Sequence, residues 1–138
     1  MFPASTNSSE GKCVATPNVC KTPTPGGPVP IPYPSIAMPV QADSKTLAES
    51  VLICGFPAAT TLTQIPMSSG DEAGTLGGVV SNKNMGSCKY TLGSSMVRME
   101  GQEAVYHGAM IAHNNHSNPN MPAGSQVAPS QSTVTVAP

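Results

Sequence analysis

Short apolar runs, each bounded by glycine or proline, alternate with polar segments along the chain. Residues 51–55 (VLICG) predict a short strand that ends in a glycine turn. Residues 95–112 are again strand-like, and the tail 132–136 (STVTV) alternates polar with β-branched residues, as a last strand does. Residues 41–50 suggest only a short helix or a turn. The pattern therefore predicts an all-β chain built from short strands.

Three polar segments predict irregular structure. Residues 1–16 are small and polar and indicate an irregular start. Residues 68–88 are rich in Gly, Ser and Asn, which favours turns and short strands with several residues at positive φ. Within this segment we expect Asp71 to cap a turn through its carboxylate. Residues 117–131, with their NPN and PAG triplets, indicate another loop.

Prolines dominate residues 17–40, and eight of the 23 residues from 17 to 39 are proline. Each proline fixes φ near roughly −65° and disfavours the helical region for the residue before it. The segment is therefore extended and is not expected in a central strand. It is a linker, a ligand for an SH3-like domain, or a strap that lies along the domain surface or against a partner. The strap is favoured by the apolar residues Ile31, Tyr33, Ile36 and Met38.

A sequence pattern recurs after 46 residues. Residues 51–58 (VLICGFPA) and 97–104 (VRMEGQEA) both fit V-x-[IM]-x-G-x-x-A, which describes a strand, a glycine turn and a second strand. Residues 134–136 (VTV) match the start of a third, truncated copy. Four matched positions of common residues also arise by chance, so the pattern alone leaves both explanations open.

The composition limits the class of protein. The 138 residues include 15 prolines and 13 glycines, whereas only 9% are charged and 4% aromatic. An average domain has about 25% charged residues. So few large side chains cannot build the thick core of an enzyme of this size, and the low charge argues against simple disorder. The composition predicts one small, rigid, turn-rich domain that needs a partner surface to complete its burial.

Charge and the N-terminal sequence limit partners and location. The net charge is −1 and the six basic residues are scattered, which disfavours nucleic acid and gives no electrostatic attraction to an anionic membrane. No apolar run approaches the length of about 18 residues that a membrane span requires. The first residues lack the features of a signal peptide. We expect synthesis in the cytoplasm and, if the protein is exported, a route other than the general secretory one.

The chain has four cysteines, which allow three pairings if two disulfides form. Without a signal peptide, reduced thiols are the expectation. The cysteines are Cys13, Cys20, Cys54 and Cys88.

Several blocks of the sequence resemble the PAAR-like domain family. The blocks follow one another in the order the family has them and cover residues 13–136. The proline block combined with the SGDEAG-like block carries the resemblance. The blocks are residues 20–25 (CKTPTP), 30–37 (PIPYPSIA), 65–74 (IPMSSGDEAG), 77–81, 85–86 and 127–131 (VAPSQ).

This resemblance implies a fold and a role. PAAR-like proteins are small β-cones with three pseudo-equivalent faces. They cap the trimeric spike, the valine-glycine-repeat protein, of type VI secretion systems or related contractile injection machines. Residues 17–138 would form this domain. We therefore expect a non-enzymatic tip protein that is exported on the apparatus, sharpens the spike for piercing and attaches effector cargo. The alternative roles are an effector-recruiting adaptor and a small secreted toxin or metal-binding protein.

The three histidines of the chain lie within ten residues, at His107, His113 and His116. Three neutral imidazoles and one thiolate make a tetrahedral zinc site, and related PAAR tips carry a His/Cys metal site near the apex. We expect Cys88 to be the fourth zinc ligand, with Cys54 as the second choice. The alternative is that His113 and His116 are polar loop residues among asparagines.

A Cys–His hydrolase is the enzymatic alternative. Cys88 or Cys54 would be its nucleophile, and His107 or His113 its base. No nucleophile elbow or other family motif surrounds either cysteine. The sequence therefore gives this alternative no support beyond the residue types.

Overall fold

The computed structural model describes residues 2–115 and 117–138. Short 3-10 helices lie at Pro39–Gln41 and Ser44–Thr46, and no helix in these residues is long and apolar enough to cross a membrane. All other regular structure is β, which confirms the predicted fold class. The strands are β1 (Phe2–Pro3), β2 (Lys12–Thr22), β3 (Val29–Ala37), β4 (Ala48–Ile53), β5 (Phe56–Ala58), β6 (Gln64–Ile65), β7 (Cys88–Tyr90), β8 (Arg98–Met99), β9 (Gln102–Glu103), β10 (Met110–His113), β11 (Met121–Ala128) and β12 (Thr135–Val136).

Six strands form one sheet in the order β3-β2-β11-β10-β7-β6. The sheet closes on itself, because Ile36 of β3 and Ser69, which follows β6, exchange two backbone N–H···O bonds of 2.8 and 2.9 Å. Closure leaves little free edge for pairing with other chains. The larger apolar cluster includes fully buried side chains from three of the strands, namely Cys13, Ile65 and Ile111.

The alternating prolines of β3 lie on its outer edge. Successive residues of a strand direct their N–H groups to opposite edges, and Ile36 directs its N–H outward to Ser69. Pro30, Pro32 and Pro34 face that same edge and have no N–H group to donate. The outer edge of β3 is therefore unpaired along these prolines and pairs only at Ile36. The extended conformation predicted for residues 17–40 is confirmed for β2 and β3. The segment is part of the sheet rather than a separate strap. The expectation that it avoids a central strand is wrong for residues 17–22, which belong to β2 between β3 and β11. Pro17 lies at the register shift between Ala15 and Asn18, where a sheet tolerates proline.

The structure differs from the sequence-based expectation within two of the segments predicted to be irregular. In the start at 1–16, residues 2–3 form β1 and residues 12–16 begin β2. Residues 121–128, expected within a loop, form β11 between β2 and β10. Gly124 allows β11 to pack this closely against its neighbours. A Cβ at this position would lie only 2.7 Å from the His113 ring and 2.8 Å from the Ala15 Cβ.

The long connection at residues 66–87 follows the prediction more closely. It contains turns and has positive φ at residues 70, 77, 82 and 85. Gly70 is required there, since its φ is 112° and an added Cβ would lie 2.1 Å from the carbonyl oxygen of Pro34.

Candidate functional site

Two short hairpins adopt the same conformation at the repeated sequence pattern. β4 and β5 are joined by Cys54 and Gly55, and β8 and β9 by Glu100 and Gly101. Both residues of each turn have positive φ, at 52° and 84° in the first and 53° and 80° in the second. Such a turn matches the twist of a two-residue hairpin and explains the glycine of the pattern. The units predicted at 51–58 and 97–104 are therefore confirmed as hairpins.

The two ends of the chain form a third unit, because β12 pairs with β1. Residues 134–136 supply its first half. Residues 2–4 (FPA) supply its second half and have the same sequence as residues 56–58. We call the three units the first (β4–β5), second (β8–β9) and third (β12–β1) ladders. Their corresponding pairs are Ile53 with Phe56, Met99 with Gln102, and Val136 with Phe2.

A ring of three backbone hydrogen bonds joins the ladders. Ala59 donates its N–H to the carbonyl oxygen of Ser5 over 2.9 Å, Ser5 donates to Val105 over 2.9 Å, and Val105 donates to Ala59 over 3.4 Å. Each of these residues follows a buried alanine that ends its ladder. Because each ring residue is a donor to one neighbour and an acceptor from the other, the ladders are related by a pseudo-threefold axis. We call this part of the molecule the threefold end.

The β-bridges between ladders follow the same cyclic order. One bridge joins the third ladder to the second, another joins the first ladder to the third, and the last joins the second ladder to the first. The bridged pairs are Ala4 with Tyr106, Ala58 with Thr6, and Ala104 with Thr60.

The threefold end has its own apolar cluster, to which all three ladders contribute. Ile53 comes from the first ladder and Val136 from the third, and Met99 of the second packs against them. A polar contact also joins two ladders, because the Glu100 carboxylate accepts the Ser50 N–H over 2.8 Å. The hydrogen bonds from Ser50 lower the pKa of Glu100.

Large apolar side chains are also exposed in or beside the ladders. Their exposed fractions range from 39% for Val134 to 76% for Met96. Exposed apolar surface of this kind marks an interaction site when it is contiguous. The other exposed members are Phe2, Leu52 and Phe56.

The opposite end of the sheet lacks the threefold pattern, and we call it the loop end. Residues 23–28 join β2 to β3, residues 66–87 join β6 to β7, and residues 114–120 join β10 to β11. These connections differ in length and sequence. A partner with threefold symmetry would therefore meet three different surfaces here.

Buried polar side chains, which we call the Asp71 cluster, close the loop end. Asp71 is fully buried, and its Oδ2 accepts hydrogen bonds from Asn18 Nδ2 over 2.9 Å, from the Met85 N–H over 3.3 Å and from the Cys20 thiol over 3.6 Å. Asn114 Nδ2 donates to Asn18 Oδ1 over 3.2 Å. The Asp71 carboxylate thus accepts hydrogen bonds from residues that are distant in sequence. The prediction that it caps its own turn is wrong. The cluster attaches the long connection to β2 and to the end of β10.

Of the predicted metal ligands, the structure brings His113 and Cys88 to neighbouring positions on paired strands and places His107 apart from them. His107 is at the threefold end, where its backbone N–H donates to Pro3 over 2.8 Å. His113 is the last residue of β10, and Cys88 is the first residue of the neighbouring strand β7. His116 lies outside the described residues.

The described residues do not by themselves fit a tetrahedral zinc site. Across 2–115 and 117–138, no three His, Cys, Asp or Glu side chains are grouped to hold a metal ion. Burial lowers the pKa of His113 to about 4; its Nδ1 lies 2.9 Å from the Ser35 hydroxyl, and its buried Nε2 has no partner. Burial raises the pKa of the Cys88 thiol to about 11. The ligand set stays a prediction.

All four cysteines are free thiols in the structure, and three of them, Cys13, Cys20 and Cys88, are buried. Burial raises the pKa of Cys13 to about 12, as it raises that of Cys88 to about 11. A buried, protonated thiol is a weak nucleophile. Cys88, one of the two candidate nucleophiles, therefore lacks the activation that a Cys–His hydrolase requires. The other candidate, Cys54, is exposed on the first hairpin turn, where its thiol donates to Gln131 Oε1 over 3.7 Å.

A protein-family model described as the toxin PAAR-like domain matches residues 11–121. The chain belongs to this family. The match spans most of the chain and includes the first two ladders and the residues of the Asp71 cluster, whereas the third ladder lies outside it. No curated protein and no solved structure is found to match the chain.

Sequence reasoning found the first half of the third ladder, residues 134–136, but missed its second half at residues 2–4 and most of the Asp71 cluster. The identity of residues 2–4 and 56–58 was a usable signal for the third ladder, although its halves lie at opposite ends of the sequence. Asn18 and Asn114 carry no comparable signal. They are 96 positions apart, and a buried amide looks in sequence like an ordinary loop residue.

Proposed function

We propose that this protein is a structural spike-tip protein that caps the trimeric spike of a type VI secretion system or a related contractile injection system. Its partner is the trimeric valine-glycine-repeat protein, which it binds through the threefold end. It is exported from the cytoplasm at the tip of the apparatus and sharpens the spike for piercing. Effector cargo attaches to it directly or through an adaptor.

One observation carries the proposal: three ladders with the same register surround one ring of backbone hydrogen bonds. A single chain with three equivalent surfaces can offer a similar contact to each chain of a trimer. One copy of this chain then suffices for each spike trimer, and the complex of the two has a closed symmetry. Leu52, Phe56 and Phe2 supply apolar area that such an interface buries.

The loop end supports a role as the leading tip. The Asp71 cluster links the long connection to two strands through side chains that are distant in sequence. Buried hydrogen bonds restrict the motion of a loop, and those to Asp71 Oδ2 hold this connection, whereas the buried Asp71 Oδ1 has no hydrogen-bond partner among the described residues. A rigid end transmits the force of contraction to a small area of the target.

The proposal includes no catalytic step. The raised pKa of Cys88 supports this against the Cys–His hydrolase alternative at one of its two candidate nucleophiles. Elemental analysis of the purified protein tests the predicted zinc. One equivalent of zinc that is lost in a His113→Asn variant would support the ligand set, and a metal-free protein would remove it.

Co-purification with a trimeric spike protein tests the function and the docking end together. The double variant Leu52→Asp, Phe56→Asp places two charges on the threefold end and should lower affinity at least about tenfold. The control is Val127→Asp, which changes a side chain on β11 that is 52% exposed and lies outside the ladders. It should bind as the wild type does.

The results of this experiment distinguish an error in the docking surface from an error in the function. Equal binding by the double variant and the wild type would show that the threefold end is not the docking surface. A wild-type chain that binds no trimeric spike protein would remove the spike-tip function altogether.

A further inference from the structure

A second exposed apolar surface lies at the loop end. Leu76, Val79 and Val80 have exposed fractions of 46%, 49% and 56%. All three belong to the 66–87 connection and lie within its residues 76–80. We call them the apolar loop patch.

The backbone of this patch is held by the rest of the chain. The Leu76 N–H donates to Lys21 O over 3.2 Å and the Val79 N–H donates to Val19 O over 3.1 Å. The Val80 N–H donates to Asn120 Oδ1 over 2.9 Å. Each residue thus has its N–H satisfied inside the protein while its side chain faces solvent. The patch is a preformed surface.

Positive charge lies beside the patch. Lys83 is exposed, and the ammonium group of Lys21 donates to Asn82 Oδ1 over 2.9 Å. Of the two nearby acids, Asp71 is buried, whereas Glu72 is exposed and its carboxylate accepts the Gly70 N–H. The exposed aliphatic side chains are therefore flanked by lysines.

We propose that the apolar loop patch inserts into the interface of a lipid bilayer with anionic headgroups. This inference rests on the proposed function, because the loop end leads once the threefold end is docked. The aliphatic side chains enter the acyl boundary and the two lysines contact headgroup phosphates. Since the net charge of the whole chain is −1, the apolar side chains supply most of the binding.

The patch suits a membrane better than a protein partner. A backbone N–H that enters hydrocarbon must be satisfied within the protein, as these three are. The same bonds leave those N–H groups unavailable for adding a partner strand. The patch also contains none of the Trp, Tyr or Arg side chains that anchor protein interfaces.

Tryptophan fluorescence tests the insertion directly, because the chain contains no tryptophan. In a Leu76→Trp variant, emission should shift to the blue with vesicles that contain phosphatidylglycerol, and less with phosphatidylcholine alone. Leu62→Trp is the control, at a side chain that is 49% exposed beside the ladders. It should show no shift. No shift at Leu76→Trp, or an equal shift at Leu62→Trp, would overturn the proposal.

Vesicle flotation separates this inference from the proposed function. The double variant Val79→Ser, Val80→Ser should lose flotation with phosphatidylglycerol vesicles at least about tenfold while still binding the trimeric spike. A wild-type chain that binds the spike but no vesicle would overturn the lipid proposal alone. A chain that binds vesicles through the patch but no spike would overturn the spike-tip function alone.

Discussion

Val136 lies directly opposite Phe2 in the antiparallel pair of β12 and β1, so the two ends of the chain complete one ladder. The same pair of positions is joined by a hairpin turn in the other two ladders. The pseudo-threefold arrangement is therefore closed by pairing of the chain ends.

A circular permutant tests this closure. Joining Pro138 to Met1 leaves residues 137, 138 and 1 between Val136 and Phe2, and three-residue hairpin loops are common. A permutant that begins at Gly55 should unfold cooperatively in urea, with a free energy of unfolding within about 2 kcal/mol of the wild type. The matched control begins at Ser125 and interrupts β11 inside the sheet. If both permutants failed to fold, the third ladder would not be equivalent to the others.

Removal of the Asp71 carboxylate should destabilise the fold. In Asp71→Ala, Asn18 Nδ2 and the Met85 N–H lose a buried acceptor. The free energy of unfolding should fall by about 2–4 kcal/mol, measured by urea denaturation. Glu49→Ala removes an exposed carboxylate and should change it by less than about 0.5 kcal/mol. Equal stability of the two variants would contradict the role given to the cluster.

How much the sequence reveals depends on how local each signal is. The first two hairpins could be predicted, because strand, glycine turn and strand follow one another within eight residues. The position of β3 at an edge also followed from its prolines. β11 was missed because Pro122 and Gly124 indicate a loop, and only the close approach of His113 and Ala15 shows why a glycine is needed.

The candidate site was less predictable because its parts are distant in sequence. The ring joins residues near the start, middle and end of the chain, and it uses backbone groups that every residue carries. The histidines are close in sequence, yet His107 lies in the turn before β10 and His113 is the last residue of that strand. Proximity in sequence does not bring side chains together when a strand runs between them.

Acid should weaken the fold through His113. Burial lowers its pKa to about 4 from an ordinary value of 6.5. The unfolded chain binds this proton more readily, so the contribution of His113 is fully present above about pH 6.5 and is lost as the pH falls toward about 4. The difference corresponds to a change on the order of 3 kcal/mol in the free energy of unfolding.

Urea unfolding at several pH values between about 7 and 4 measures this effect. A His113→Asn variant has no imidazole to protonate and should show a smaller loss over that range, with carboxyl groups supplying the remainder. Parallel pH profiles for wild type and variant would contradict the assignment to His113.

Restoring N–H groups to the outer edge of β3 should cause self-association. The double variant Pro30→Thr, Pro32→Thr keeps an extended, β-prone strand but gives its exposed edge two new donors. Light scattering at rising concentration should show dimers or larger species, whereas the wild type stays monomeric. Pro25→Thr, in the turn after β2, is the control and should remain monomeric. A monomeric double variant would show that the prolines do not protect this edge.

The stoichiometry of the complex with a trimeric spike protein tests the central claim most directly. Native mass spectrometry of the purified complex should show one copy of this chain for three spike chains, because one threefold end serves the whole trimer. Three copies for each trimer, or no complex with any trimeric spike protein, would contradict the account.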